Sequence, residues 1–296
     1  MTEKQLLWTS IFATALFAVM GIAWGIASGS GIIIFDGLYS LVSLGLSLMS
    51  LQALQEISKG ESDRFPFGKS QFEPMLVAFK SVTIIGMCLY AAFDSLTLLF
   101  QGGREVKLGS ALVYAVITSA GSIAITCLLS SRGRKMNSAL IDAERNQWLG
   151  DSLLSVCVLV AFALASTVLA RSYPAAIPYV DPGMVVVASC VFLAMPGRSL
   201  FAAMKELLFV RAKGQIIDRL ETEAKAVADR LNARYKLRAI IIGRQLEVEV
   251  NFQTTDNLSL TVADMDAIRN RFIKIATSLK QRAWVNMNIT QDASQL

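Results

Sequence analysis

Histidine is absent from this sequence of 296 residues. Its absence removes the commonest metal ligand and the only side chain that ordinarily titrates between about pH 5 and 8. It also excludes a Ser-His-Asp triad and an HExxH zinc motif, and the sequence has no phosphate-binding P-loop. We therefore expect a protein that is not an enzyme and that carries no resident cofactor.

Cysteine and charge are both scarce. The cysteines lie in different apolar segments without a CxxC spacing, and we interpret them as small buried apolar residues. Only 17% of the residues are charged, whereas 54% are hydrophobic, and the mean hydropathy is +0.50. This composition is typical of an integral membrane protein. The cysteines are Cys88, Cys127, Cys157 and Cys190.

Long apolar segments recur along the first two thirds of the chain. At about 1.5 Å rise per residue, each is long enough to cross roughly 30 Å of hydrocarbon as a helix. They predict six transmembrane helices, near residues 6–28, 31–56, 74–100, 108–130, 142–170 and 182–208.

Basic residues in the connecting loops predict the orientation of these helices. The loops after the second and fourth spans are more basic than the alternate loops, which by the positive-inside rule places them in the cytoplasm. We expect a multi-pass protein of the bacterial inner (plasma) membrane with both termini cytoplasmic. The compared residues are Lys59, Arg64, Lys69, Arg132, Arg134 and Lys135 against Arg104, Lys107 and Arg171.

The pattern changes from about residue 209. A helical periodicity over 216–231 is followed by a strand near 236–242 and by strict alternation over 246–252. Thr261 and Asp264 are typical of a helix start, and WVNMNI predicts a last strand. The predicted order αββαβ indicates a small α+β domain, so we expect a membrane domain over 1–208 and a cytoplasmic domain over 209–296.

This C-terminal segment is basic. From Leu208 onward it holds 14 Lys and Arg against 10 Asp and Glu, a net charge of +4. A basic domain held near an anionic leaflet accounts for this charge, and no platform of aromatic and basic residues indicates a nucleic acid. We expect the lipid bilayer, and no nucleic acid, as a partner.

Two acidic residues lie in predicted membrane helices. Asp36 is followed four residues later by Ser40, and Gln147 lies four residues before Asp151, with Asn146 beside it. Residues four apart share a helix face, so the second and fifth helices can surround a cation with oxygen ligands. The sequence therefore predicts a cation site between these helices, with Asp36 and Asp151 as its charged ligands and Asn146 as an accessory.

Other interpretations of these polar residues stay open at this point. Asp36 and Asp151 can lie near helix ends among lipid headgroups, or act as hydrogen-bonding links between helices. Lys80, in the third span, is more simply a snorkelling amine than an internal counter-ion for the two acids. Asp36 also lies about 12 Å from Ser28 by helical rise, whereas Asp151 lies about 30 Å from Arg171. Tilt, a protruding fifth helix or an outer cavity can reconcile these depths.

Four motifs in order carry a family resemblance. SGSxxxxxDGLYS, FGKSQFEP, NQWLGDSLLS and YVDPGM resemble the second helix, the following cytoplasmic loop, the fifth helix and the start of the sixth helix of cation diffusion facilitator transporters. The six spans and the αββαβ segment agree with that family, so the resemblance covers nearly the whole chain.

The resemblance implies a homodimeric antiporter that exports a divalent cation in exchange for protons. It implies a ferredoxin-like C-terminal domain and a transport site at the matching positions Asp36, Ser40, Gln147 and Asp151. Two of these four are neutral, so hard cations such as Mn²⁺ or Mg²⁺ fit the site better than zinc. A transport-inactive membrane dimer that acts as a regulator or scaffold, and a monovalent cation/proton antiporter, are the alternatives.

Overall fold

The computed structural model describes residues 3–133, 139–243, 245–255, 260–279 and 282–296. The chain divides into two compact units. The first contains Met1–Met49 and Lys80–Gly197, and the second contains Ser50–Phe79 and Arg198–Leu296. Segments from both sides of residue 208 therefore share the second unit, and the domain boundary predicted there stays a prediction.

Six long helices make up most of the chain before residue 208. The fifth continues through a π-helical turn, Ala165–Leu169, and a last α-helical turn, Ala170–Ser172. Pro174–Ala176 then forms a 3₁₀ turn before the sixth. The long helices are α1 (Glu3–Ser28), α2 (Gly31–Ser58), α3 (Phe72–Phe100), α4 (Leu108–Gly133), α5 (Ala139–Leu164) and α6 (Ile177–Leu207).

Among the described residues, five helical segments are long and apolar enough to cross a membrane. A shorter apolar stretch, Gly31–Leu46, lies in α2, where the sequence predicts its second span. The protein thus has five to six apolar helices, in agreement with the membrane prediction. The five segments are Trp8–Ser28, Phe72–Phe100, Leu108–Arg132, Gln147–Ser172 and Pro174–Leu207.

Glycine brings α1 and α2 into close contact in the first unit. A Cβ atom added at Gly37 of α2 would lie 2.6 Å from the backbone nitrogen of Ile22, and one added at Gly21 would lie 2.9 Å from the Cα of Gly37. Small residues of this kind allow membrane helices to approach through their backbones. This contact holds the first turns of α2 against α1.

Polar side chains join α4 and α5 with α1. The hydroxyls of Thr126 and Ser152 are 2.9 Å apart, and the Trp148 indole donates to the Ser10 hydroxyl at 2.7 Å. Trp148 is buried with Leu6 and Leu129. In a lipid environment such hydrogen bonds satisfy polar groups that water cannot reach.

The prediction that all four cysteines are buried is wrong for three of them. Cys88 is buried, whereas Cys127, Cys157 and Cys190 are exposed on their helices. Cysteine behaves as a small apolar residue, and lipid is as acceptable a neighbour for it as a protein core. An apolar segment therefore does not require its cysteines to be buried inside the protein.

The second unit contains a three-stranded sheet with two helices. Its strands are in the order β1-β2-β3, with β1 antiparallel to β2 and β2 parallel to β3. The element order αββαβ agrees with the prediction, while the ferredoxin-like assignment stays a prediction. The elements are α7 (Gln215–Arg230), β1 (Ala233–Ile242), β2 (Gln245–Thr254), α8 (Val262–Ala276) and β3 (Arg282–Thr290).

One apolar core fills the space between this sheet and its helices. The alternation predicted for β2 is confirmed at its apolar positions, since Leu246, Val248, Val250 and Phe252 are all at most 2% exposed, but Asn251 of the predicted polar face is buried as well. Leu220 and Ala224 of α7 and Ile268 and Phe272 of α8 belong to the same core. Burial of these side chains, at about 25 cal/mol per Å² of apolar surface, is the main force that holds the helices on the sheet.

The loop between α2 and α3 contacts this sheet within the second unit. The Ser70 hydroxyl donates to Gln245 Oε1 at 2.9 Å, and the rings of Phe67 and Trp284 meet edge to face. Glu206, at the end of α6, accepts a hydrogen bond from the Gly243 backbone nitrogen at 2.9 Å. The loop is thus joined to the sheet by a polar contact at β2 and an aromatic contact at β3.

The start of α8 has the capping box that the sequence predicts. The Thr261 hydroxyl accepts from the Asp264 backbone nitrogen at 3.2 Å, and the Thr261 backbone nitrogen donates to Asp264 Oδ2 at 3.0 Å. We expect Thr261→Ala to destabilise the first turn of α8 by about 1 kcal/mol. Amide hydrogen exchange in the full-length protein then quickens about fivefold in that turn.

Acidification is also expected to destabilise the first turn of α8, because it protonates the carboxylate of the capping box. Hydrogen bonds from Thr261 lower the pKa of Asp264 from its ordinary value of 3.8. The stabilisation is therefore present above about pH 4 and is lost as the pH falls through the lowered pKa. Thr277→Ala, at the other end of α8, is the matched control. Equal exchange rates in the first turn of the two variants would contradict the capping role of Thr261.

Candidate cation-binding site

Asp36 lies five residues after Gly31, near the N-terminal end of α2. Its side chain is half-buried and faces α4, where the Tyr114 hydroxyl donates a hydrogen bond to Asp36 Oδ2 at 3.3 Å. Tyr114 itself is only 2% exposed. The carboxylate thus points into the helix bundle.

A small cavity lies beside this carboxylate. Its volume is about 10 Å³, close to the least that can hold one water molecule. Four of its lining residues are polar and carry oxygen: Asp36 of α2, Tyr114 and Thr118 of α4, and Ser155 of α5. The cavity can therefore surround one small occupant with a carboxylate and three hydroxyls.

The remaining walls of the cavity are apolar. They come from α2 and α5, so the polar groups lie in a largely apolar surrounding. A low local dielectric strengthens the attraction between a carboxylate and a cation, and it makes an unpaired charge costly. The apolar lining residues are Ile32, Ile33, Leu154 and Val158.

The four predicted ligands lie on the expected helices, but only one of them lines this cavity. Asp36 is that residue; Ser40 of α2 and Gln147 and Asp151 of α5 are half-buried outside the described lining. Asp151 lies four residues before Ser155, about 6 Å along α5.

Asp36 is thus level with Ser155, one turn from Asp151. Measured from Ser155 instead of Asp151, the remaining part of the fifth helix is shorter by about 6 Å. The residues beyond Ser155 continue to Ser172 through the π turn, a distance of about 25 Å. A fifth helix that extends past the start of α2, or a tilt between the two helices, would account for that length.

The accessory residues have different outcomes. Lys80 is half-buried in α3, and its role stays a prediction. Asn146 belongs to α5, but its side chain lies outside the described residues. Among the residues that the structure describes, no three acidic or cysteine side chains are grouped closely enough to hold a metal ion.

Three of the cavity's oxygen groups were not predicted from the sequence. Ser155 could have been predicted, because it lies one turn after Asp151 on the helix face that carries Gln147. Tyr114 and Thr118 are also four residues apart, but α4 has no acidic residue between Leu108 and Gly133 to draw attention to it. Their signal in the sequence is the spacing of two hydroxyl side chains by four residues within an apolar span.

Comparison with known proteins decides the family. Residues 7–208 match the cation efflux transmembrane domain. The chain belongs to the cation efflux family. The resemblance seen in the four sequence motifs is confirmed, and this is a family of membrane transporters rather than enzymes.

Two relatives show how far the similarity of this cation efflux protein extends. It is 23% identical over 304 residues to "Uncharacterized transporter MJ0449" of Methanocaldococcus jannaschii, covering 97% of this chain and 98% of the relative. It is 25% identical over 170 residues to "Magnetosome protein MamB" of Magnetospira sp. (strain QH-2), covering 55% of this chain and 56% of the relative. The first similarity includes the C-terminal sheet as well as the membrane helices.

Proposed function

We propose that this cation efflux protein exports a hard divalent cation, Mn²⁺ or Mg²⁺ rather than Zn²⁺, from the cytoplasm in exchange for protons. The transported ion passes through the space between α2 and α5, with Asp36, Ser40, Gln147 and Asp151 as its ligands in the course of transport. The observation that carries the proposal is the carboxylate of Asp36 in an ion-sized cavity with three hydroxyl groups.

The donor atoms support the choice of cation. Carboxylate, hydroxyl and amide oxygens suit Mg²⁺ and Mn²⁺, whereas zinc prefers nitrogen and sulfur. The sequence has no histidine, and Cys88, the buried cysteine, is not among the described cavity-lining residues. An all-oxygen site with one or two carboxylates lacks the nitrogen and sulfur ligands that would favour zinc.

Proton exchange follows from the same carboxylates. A cation and a proton compete for the oxygens of Asp36 and Asp151, since the cation binds only the ionised form. Release of the cation on one side of the membrane lets a proton take its place, and rocking of the helices returns the site to the other side. Asp36 and Asp151 are the proton carriers in this scheme.

The proposal includes the membrane in which the protein lies, its orientation and its oligomeric state. We place it in the bacterial inner membrane with both termini in the cytoplasm, as the loop charges favour. The C-terminal αββαβ unit is a ferredoxin-like domain that joins two copies into a homodimer. Its basic residues face anionic lipid and do not bind nucleic acid.

Flux into proteoliposomes tests this proposal. The purified full-length protein is reconstituted, a pH gradient is imposed, and uptake of Mn²⁺, Mg²⁺, Zn²⁺, Fe²⁺ and Na⁺ is compared. We expect Mn²⁺ or Mg²⁺ uptake that dissipates the gradient, and little Zn²⁺ uptake. Uptake of Na⁺ alone would favour the monovalent antiporter, and a folded dimer that moves none of these cations would favour the regulator or scaffold.

Tyr114→Phe tests the hydroxyl beside Asp36. The substitution keeps the ring but removes the oxygen that contacts the carboxylate, so the cation loses one supporting group. We expect the apparent affinity for Mn²⁺ to fall about tenfold, as for partners of metal ligands elsewhere. The measurement is the Mn²⁺ dependence of uptake.

A second tyrosine provides the control for this experiment. Tyr90 of α3 is 74% exposed, so Tyr90→Phe removes a hydroxyl remote from the cavity and is expected to leave the affinity unchanged. Tighter Mn²⁺ binding in Tyr114→Phe would mean that the hydroxyl competes with the cation for Asp36, contrary to a supporting role.

A further inference from the structure

Asp181 of α6 is a buried carboxylate outside the cavity, only 1% exposed. It accepts three hydrogen bonds from the beginning of α2. The donors are the Ser30 hydroxyl at 2.6 Å, the Gly31 backbone nitrogen at 2.8 Å and the Ile32 backbone nitrogen at 3.3 Å. One helix therefore caps another, and the capping residue is about 150 residues away in sequence.

Ser30 adds a local cap to the one from α6. Its hydroxyl donates to Asp181 and accepts from the Ile33 backbone nitrogen at 3.4 Å. The first amides of a helix have no partner within the helix, and here three of them have one. The N-terminal end of α2 is consequently bonded both to itself and to α6.

The charge of Asp181 is also balanced. The N-terminal end of a helix carries a partial positive charge, and the Arg104 guanidinium lies 3.9 Å from Asp181 Oδ2. Arg104 is placed by a hydrogen bond from its backbone nitrogen to the Pro178 carbonyl at 2.8 Å, whereas its contact with the exposed Asp94 at 3.4 Å adds little. An unbalanced buried carboxylate would be strongly unfavourable, so this arrangement ties α2 to α6 at a defined position.

The capped turn is continuous with the cation cavity. Ile32 and Ile33 line that cavity, and Asp36 lies one turn further along the same helix, about 7.5 Å from Gly31. A displacement of the first turn of α2 would therefore move both the apolar wall and the carboxylate. The position of Asp36 relative to Tyr114 and Ser155 depends on the place where α2 begins.

We propose that Asp181 is a positioning residue for transport: it holds the first turn of α2 and thereby sets the place of Asp36 in the cavity. It does not touch the cation. The consequence for transport rests on the proposed function, whereas the hold on α2 does not.

Hydrogen exchange tests the hold on α2 without any transport. In Asp181→Asn the carboxylate charge is lost while the size of the side chain is kept. We expect the amides of residues 31–34 to exchange about tenfold faster than in the wild type, the scale of losing a helix cap and a charged hydrogen bond. Asp94→Asn, which removes a carboxylate from the same arginine but not from α2, is the matched control and is expected to match the wild type.

Ser30→Ala provides a milder variant if Asp181→Asn does not yield folded protein. It removes the hydroxyl that bridges Asp181 and Ile33 but leaves the two backbone contacts to Asp181. We expect about threefold faster exchange of the same amides. Wild-type exchange rates in both folded variants, or in Ser30→Ala when it alone is folded, would overturn the proposal.

Uptake of Mn²⁺ then separates positioning from a merely structural role. With uptake normalised to folded protein, we expect Asp181→Asn to raise the Mn²⁺ concentration for half-maximal uptake about tenfold, and Asp94→Asn to leave it unchanged. Faster exchange with an unchanged Mn²⁺ dependence would overturn the positioning role. If the wild type takes up no cation, the proposed function fails, and the exchange experiment alone decides whether Asp181 holds α2.

Discussion

Asp36→Asn is expected to reduce Mn²⁺ uptake into proteoliposomes about 100-fold or more, beyond the loss caused by removing a partner of a metal ligand. Asparagine keeps the size of the side chain and can still accept the hydrogen bond from Tyr114. It removes the negative charge, and the other described polar groups that line the cavity are hydroxyls. The cation would then have no carboxylate in the cavity to compensate for the hydration energy that it loses on entry.

The same variant tests proton coupling. Asparagine does not titrate, so any remaining uptake through Asp36→Asn is expected to lose most of its dependence on the imposed pH gradient. Asp94→Asn is the control, because Asp94 is an exposed carboxylate that contacts Arg104. Unchanged uptake in Asp36→Asn, together with the double variant Asp36→Asn/Asp151→Asn, would show that the ion crosses elsewhere.

Gly37→Ala is expected to lower the free energy of unfolding by about 3 kcal/mol, the upper range for adding a methyl group to a filled site. The new Cβ would meet the backbone nitrogen of Ile22 at 2.6 Å. A clash with backbone cannot be relieved by turning a side chain, so α1 and α2 would have to separate. The separation also displaces Asp36, the preceding residue.

Gly45 offers a matched control on the same helix. Among the described residues, no atom lies within 4 Å of a Cβ built there, so Gly45→Ala is expected to keep or raise stability, because alanine favours helix by about 1 kcal/mol over glycine. Loss of monodisperse protein on heating, measured by size-exclusion chromatography, compares the two variants. Equal thermal stability would mean that the α1–α2 contact is loose.

The sequence predicted the elements well because local physics decides them. Apolar length determines which segments can cross a membrane, and the alternation around Val248 and Val250 determines which side of β2 is buried. The capping box of Thr261 and Asp264 fixes a helix start within four residues. Each of these signals is contained in one short stretch of chain.

The site was only partly predictable, since it depends on which turns of different helices meet. Asp36 was found because a carboxylate in an apolar span is conspicuous. We expected its neighbour on α5 to be Asp151, but the residue of α5 that lines the cavity with Asp36 is Ser155. The two differ by one helical turn, and no sequence pattern indicates which turn of α5 lies beside Asp36. The pairing of Asp181 with Ser30 likewise joins residues about 150 positions apart, which only the folded chain brings together.

The cavity beside Asp36 holds about 10 Å³, room for a bare ion but not for one with its hydration shell. In the proposed transport, entry of a cation would require dehydration, and the oxygens of Asp36 and the hydroxyls would replace the lost waters. Magnesium gives up its waters reluctantly and demands near-ideal octahedral geometry. If transport proceeds through this cavity as proposed, the ease of dehydration would matter as much as the strength of binding, and it would favour manganese over magnesium.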